Sequence, residues 1–247
     1  MVGARGIGAF ALLLLSALPA HAAVVHAAVA ANFTGVATEL AARFQAATGN
    51  EIKLSFGATG ALYTQVTQGA PFDVFLAADD RRTATAIADG FGVPGTEFTY
   101  AVGRLALYSS LLDLTDGEAV LRAGAFQHVA VADPKTAPYG AAALAMLEQF
   151  GLTERTAPRI VTGESISQAL AFVESGSAEL GFVALSQVIG KPATQVWLPP
   201  QEDYPAIRQN AVLLEVGATN EAARAFLEYL RSDTAIAVIK AAGYTLE

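Results

Sequence analysis

Four short segments carry the residue types from which an anion site can be built. They are Ala30-Ala31-Asn32-Phe33-Thr34, Phe56-Gly57-Ala58-Thr59-Gly60, Asp133-Pro134-Lys135-Thr136-Ala137-Pro138-Tyr139-Gly140 and Thr162-Gly163-Glu164-Ser165-Ile166-Ser167-Gln168. Each joins small residues, which let a ligand approach the backbone, to hydroxyl or amide side chains at the start of a helical pattern. The first turn of a helix holds N–H groups without an internal acceptor and the positive end of the dipole, so several such starts together attract an anion without any formal positive charge. Singly, these residues have plainer readings. Asn32, Thr59 and Ser165 are common N-cap types, Ser165 with Gln168 fits a capping box, Pro138 and Gly140 flank Tyr139 as turn residues, and Lys135 and Glu164 suit solvated loops. The anion reading rests on the four loops jointly.

Catalysis is poorly served. No histidine stands where a base would, no G-x-S-x-G elbow appears, and Gly57-Ala58-Thr59-Gly60 lacks the lysine of a phosphate loop and the third glycine of a dinucleotide fingerprint. The carboxylate pairs Asp79-Asp80 and Glu202-Asp203 are adjacent in sequence, which separates their side chains on either a strand or a helix. The absence of cysteine removes disulfides, thiolate zinc sites and thiol nucleophiles together, and no His/Asp/Glu spacing resembles a metal site.

The loops need a scaffold, and the apolar pattern supplies one. Short runs rich in β-branched residues and Phe, at 24–30, 52–56, 73–77, 98–108, 128–132, 159–161, 180–184, 195–198 and 207–214, alternate with helical periods such as 35–47, 61–68, 141–150, 166–174 and 221–231. Such alternation predicts an α/β chain, whose ligands bind where strands end and helices begin. The runs at 98–108 and 207–214 are unusually long and divide the chain into a lobe of residues 23–102 plus 207–247 and a second lobe of 103–206.

The first 22 residues have the form of a cleaved export signal: Arg5, an apolar run at 7–18 and a small-x-small site at Ala20-His21-Ala22. The apolar run falls short of the ~20 residues of a membrane-spanning helix, and without cysteine no lipid anchor is expected. Cleavage leaves 225 residues with 14 basic and 23 acidic side chains, net −9. That balance argues against nucleic acid and anionic membranes as partners. An anion must therefore be held locally, against the protein's mean field.

With these loops in view, the sequence resembles the periplasmic molybdate/tungstate-binding proteins of bacterial ABC uptake systems. The likeness covers essentially the whole mature chain, through Ala-Ala-Asn-Phe at 30–33, Ser-Phe-Gly-Ala-Thr-Gly at 55–60, Gly-Ala-Pro-Phe-Asp-Val-Phe at 69–75, Ala-Asp at 78–79 and Phe-Thr-Tyr-Ala-Val-Gly at 98–103. It continues through Asp-Pro-Lys-Thr-Ala-Pro-Tyr-Gly at 133–140, Leu-Gly-Phe-Val-Ala-Leu at 180–185 and Ile-Lys-Ala-Ala-Gly-Tyr at 239–244.

The resemblance implies a two-lobed periplasmic-binding-protein fold, each lobe a mixed sheet flanked by helices, joined by two crossover strands. It implies a monomer without cofactor or enzymatic activity that captures molybdate or tungstate and delivers it to an ABC permease. The molybdenum would be held as its oxyanion by Asn32, Thr59, Tyr139 and Ile166, with no direct metal ligand; Ile166 would act through its backbone N–H, the others through backbone and side chain. Many relatives place a ligand-binding tyrosine where this chain has Ala184, so Tyr139 is expected to supply that hydroxyl. The rival readings are a sulfate, phosphate or small organic-anion binder, for which Arg159 is the only arginine near the loops, and an enzyme on the same scaffold.

Overall fold

A computed structural model of the chain describes residues 22–247. The signal expected at 1–22 lies, apart from Ala22, outside the described residues. The strands are β1 Val24–Ala30, β2 Glu51–Gly57, β3 Val74–Leu76, β4 Phe98–Gly103, β5 Leu105–Tyr108, β6 Val129–Ala132, β7 Ile160–Gly163, β8 Leu180–Ala184, β9 Val196–Trp197 and β10 Ile207–Leu213. The helices are α1 Thr34–Thr48, α2 Thr59–Thr67, α3 Arg81–Ala88, α4 Gly117–Ala123, α5 Pro138–Gln149, α6 Thr153–Thr156, α7 Ile166–Glu174, α8 Leu185–Val188, α9 Glu221–Leu230 and α10 Asp233–Ala241. A 3-10 turn, Ala31–Phe33, joins β1 to α1.

These strands form two five-stranded mixed sheets, in the orders β2-β1-β3-β10-β4 and β7-β6-β8-β5-β9. In the first, β1 runs parallel to β2 and β3, while β10 is antiparallel to β3 and β4. In the second, β6 is parallel to β7 and β8, and β5 is antiparallel to β8 and β9. The expected two-lobed α/β architecture is the one observed. No helix among the described residues is long and apolar enough to cross a membrane.

The strand sequences explain the layers. A parallel strand covered on both faces must be apolar almost throughout, and in β1 only residues 24 and 26 escape full burial. Alternation sends Val25, Ala27 and Val29 into one core with Leu40 and Phe44 of α1 and Phe226 of α9; Ala28 faces the other way, against Leu62 and Val66 of α2. In the second lobe, Ala130, Val131 and Ala132 of β6 share a core with Met146 and Leu147 of α5 and Ala169 and Val173 of α7. Four parallel strands, β1, β2, β6 and β7, thus end at Ala30, Gly57, Ala132 and Gly163, each leading into a helix. Their ends face the gap between the sheets.

The chain passes twice between the sheets. The run at 98–108 is one strand by pattern but two in space. β4 pairs with β10 in the first sheet, β5 with β8 in the second, and Arg104 between them turns its carbonyl to the N–H of Leu185. The return passage runs through residues 198–206, and the long strand β10 that follows pairs wholly within the first sheet. Several boundaries also move by one to three residues, two of them for a visible reason. α5 begins at Pro138, because a proline at the first helical position is preset for the helix and lacks only a donor that would be unpaired. β7 begins at Ile160, since Arg159 closes a 3-10 turn.

Candidate functional site

Between the two sheets lies a small cavity, about 10 Å³ measured to the centre of a water-sized sphere. Asn32, Thr59, Tyr139 and Ile166 all line it; the remaining wall is Ala30, Ala31, Gly57, Ala58, Ala78, Ala137 and Pro138. The structure therefore brings the four sequence-derived positions together from four separate loops. Asn32 is the second residue of the 3-10 turn, Thr59 the first of α2, Tyr139 the second of α5 and Ile166 the first of α7. An N–H group at such a position has no acceptor in its own helix, and none of the four finds another backbone acceptor among the described residues.

The side chains are organised differently from the backbone. Thr59 Oγ1 accepts from the N–H of Ala78 at 3.0 Å. Asn32 Nδ2 donates to Gln209 Oε1 and to Tyr244 Oη, both at 2.9 Å. Tyr139 Oη accepts from Gln209 Nε2 at 3.1 Å and abuts Gly103, and neither of these partners lines the cavity. The hydroxyl expected to replace a tyrosine missing at Ala184 is thus committed to the opposite lobe, and Ala184 itself ends β8 away from the cavity wall.

The capping expectations separate in the same way. Ser165 alone caps, accepting from the N–H of Gln168 at 3.3 Å, while Gln168 Oε1 accepts from Glu164 N–H at 2.6 Å. Thr59 stands inside its helix and Asn32 inside its turn, so neither is an N-cap.

No charged side chain lines the cavity. Lys135 and Glu164 are exposed, and Asp133 accepts from Lys135 N–H at 3.0 Å. Arg159 lies over the Phe126 ring, 5.3 Å from its centroid, and donates to the Phe126 carbonyl at 3.0 Å, away from the cavity. Burial raises the Tyr139 and Tyr100 phenols well above their ordinary value and Tyr244 to about 12, with mutual repulsion among the rings adding to the first two. All three stay neutral at physiological pH. Among the described residues no group of three or more His, Cys, Asp or Glu could hold a metal ion.

Several hydrogen bonds cross the cleft. Gly60 N–H donates to the Thr136 carbonyl at 2.8 Å, Arg82 Nη2 to the Lys135 carbonyl at 2.7 Å, Ser186 Oγ to the Asn32 carbonyl at 2.9 Å and Ser167 Oγ to the Ala31 carbonyl at 3.3 Å. Ala30, Ala31, Ala58 and Ala78 of the first lobe join the apolar core of the second. The cleft is closed. Sequence reasoning did not single out Gln209, Tyr244, Ser186 or Gly103. Gly103 and Tyr244 carried a signal only as the ends of family-like runs, at 98–103 and 239–244, without an assigned role.

The architecture has counterparts among known proteins. The family model described as bacterial extracellular solute-binding protein matches residues 25–245. The molybdate-binding protein ModA of Rhodobacter capsulatus is 48% identical, over 98% of this chain and 96% of its own. ModA of Azotobacter vinelandii is 49% identical over 94% of each chain. The solved structure of the Azotobacter vinelandii periplasmic molybdate-binding protein superposes with a TM-score of 0.87 at 38% identity, covering 90% of this chain and 99% of that one. This chain belongs to the family of bacterial extracellular solute-binding proteins.

Proposed function

We propose that this protein captures molybdate, and also tungstate, in the periplasm, by closing residues 23–102 plus 207–247 against residues 103–206, and hands the ion as a monomer to the permease of an ABC importer. One observation carries the reading: a small cavity lined by residues at the starts of four helical segments, whose N–H groups have no backbone acceptor, and by no charged side chain. A fully ionised dianion has acceptor oxygens on every side and no proton, so donors alone can satisfy it. Protonated phosphate brings a donor that needs an acceptor, usually a carboxylate, and none lines the wall. A carboxylate-bearing organic ligand would call for an arginine clamp, and Arg159 is engaged elsewhere. In a dry cleft fixed dipoles outweigh the repulsion of a net-acidic surface, which water screens. The molybdenum would meet the protein only through its oxygens. Two relatives nearly half identical to this chain bear the name molybdate-binding protein.

The test is a thermal-shift and calorimetric series on residues 23–247 with molybdate, tungstate, sulfate and phosphate. A ligand at ~100 times its Kd adds about 2.7 kcal/mol to stability. Molybdate and tungstate are expected to stabilise strongly, sulfate weakly and phosphate not at all. Sulfate outranking molybdate would make this a sulfate binder, and stabilisation by phosphate alone would overturn the donor-only argument.

A further inference from the structure

We infer that Gln209 sets the width of the closed cleft, by tying one cavity-lining residue of each lobe to a single buried amide. This rests on the oxyanion reading above and concerns how that ion is selected by size. Gln209 lies on β10, wholly buried, where the register against β4 shifts between Gln209 and Asn210. The extra residue is Tyr100 of β4, and such a bulge re-aims its side chain, whose hydroxyl donates to Gln209 Oε1.

Both ends of the amide are used. Oε1 accepts from Asn32 Nδ2 at 2.9 Å and from Tyr100 Oη at 3.0 Å, while Nε2 donates to Tyr139 Oη at 3.1 Å. The reverse orientation would set one NH₂ group against another, so Asn32 dictates which way the Gln209 amide points, and hence that it offers a donor to Tyr139. Asn32 is anchored on the other side by Tyr244, whose hydroxyl lies 2.9 Å from Ser186 of the second lobe.

Tyr139 acts as the spacer. Its ring starts at the second position of α5, in the second lobe, and its hydroxyl reaches the β4/β10 wall of the first. A β-carbon on Gly103 would stand 2.0 Å from that hydroxyl and 2.6 Å from Gln209 Nε2, so only glycine leaves the seat open. An aromatic ring is rigid, and a hydroxyl seated at fixed depth fixes how near the N–H groups of α5 come to those of the 3-10 turn and α2. Sulfate and molybdate share charge and shape and differ in size. A stop on closure is thus the element that lets the larger ion fill every donor and leaves the smaller one short.

The experiment compares residues 23–247 with the variants Gln209→Leu, Tyr139→Phe and their combination, measuring affinities and dissociation rates for molybdate and sulfate and the melting temperature without ligand. Each single variant is expected to bind molybdate about tenfold more weakly, the scale of one lost hydrogen bond, through faster dissociation. The preference for molybdate over sulfate should fall, and the double variant should be little worse than either single one. Tyr139→Phe removes one oxygen only and decides the matter if Gln209→Leu does not fold. An unchanged molybdate-to-sulfate ratio, with or without lost stability, overturns the inference while leaving the oxyanion reading intact. A native chain that binds neither ion overturns the reading beneath it.

Discussion

The backbone N–H of Gly60 donates across the cleft to the carbonyl of Thr136 at 2.8 Å, so α2 of one lobe is bonded directly to the α5 loop of the other. The approach is close enough to exclude a side chain. A β-carbon on Gly60 would stand 3.0 Å from Thr136 Cα and 2.8 Å from Arg82 Nη2, and that arginine is itself held by Asp79 and the Lys135 carbonyl.

Gly60→Ala is therefore expected to hinder closure without harming either lobe. Alanine favours the helix by up to ~1 kcal/mol, so the melting temperature without ligand should hold or rise. Molybdate affinity should fall at least about tenfold, since the closed state must shift to admit the methyl group. Thermal scans with and without molybdate separate the two effects.

Asn32→Asp tests the neutrality of the site. The substitution keeps the shape but turns a donor to Gln209 Oε1 into an acceptor and places a carboxylate beside the anion's seat. An unpaired buried charge costs on the order of 3–5 kcal/mol, shared here between fold and binding. Calorimetry should find molybdate binding weakened by more than about a hundredfold, against a smaller loss for Asn32→Ala.

The three buried tyrosines predict the pH dependence. Tyr139 and Tyr100 lie well above, and Tyr244 at about 12 against, an ordinary value of 10.0. A group whose folded pKa is raised contributes stability that is complete below its unfolded pKa and is lost as pH rises through the folded one. Stability should hold up to roughly pH 9 and decline from about 10 upward. Molybdate affinity should likewise be flat between about pH 6 and 9, because no other titratable side chain lines the cavity. A binding transition near neutral pH would point to a charged group in the site.

Asp73 predicts a loss of stability without loss of binding. Its carboxylate accepts from His26 N–H at 2.7 Å and from Asn220 Nδ2 at 3.2 Å, clasping β1 to the cap of α9. Gly217 packs so tightly on it that a β-carbon there would lie 2.6 Å from Asp73 Cα. Asp73→Ala should cost about 2–3 kcal/mol, the scale of hydrogen bonds to a charged group, and leave the molybdate dissociation constant of the folded fraction unchanged. Denaturant unfolding and calorimetry together check it. The family-like run at 69–75 then owes its character to the clasp, not to the ligand.

What the residues alone determined is whatever local periodicity and capping chemistry report. Alternating strand and helix periods disclosed the α/β architecture, and small residues with hydroxyl and amide side chains marked the four helix starts. The family likeness picked Asn32, Thr59, Tyr139 and Ile166 from them, all of which reach one cavity. These features depend on neighbours a few positions away, which a pattern records. The tertiary structure decided where the side chains went. Asn32 and Tyr139 read as ligand-facing polar groups, yet both meet Gln209, which lies 177 residues from one and 70 from the other. The break of the 98–108 run at Arg104 and the seat at Gly103 likewise follow from which sheet each segment joins. A buried polar group must find a partner, but the pattern near it in sequence does not say which distant strand brings that partner within reach.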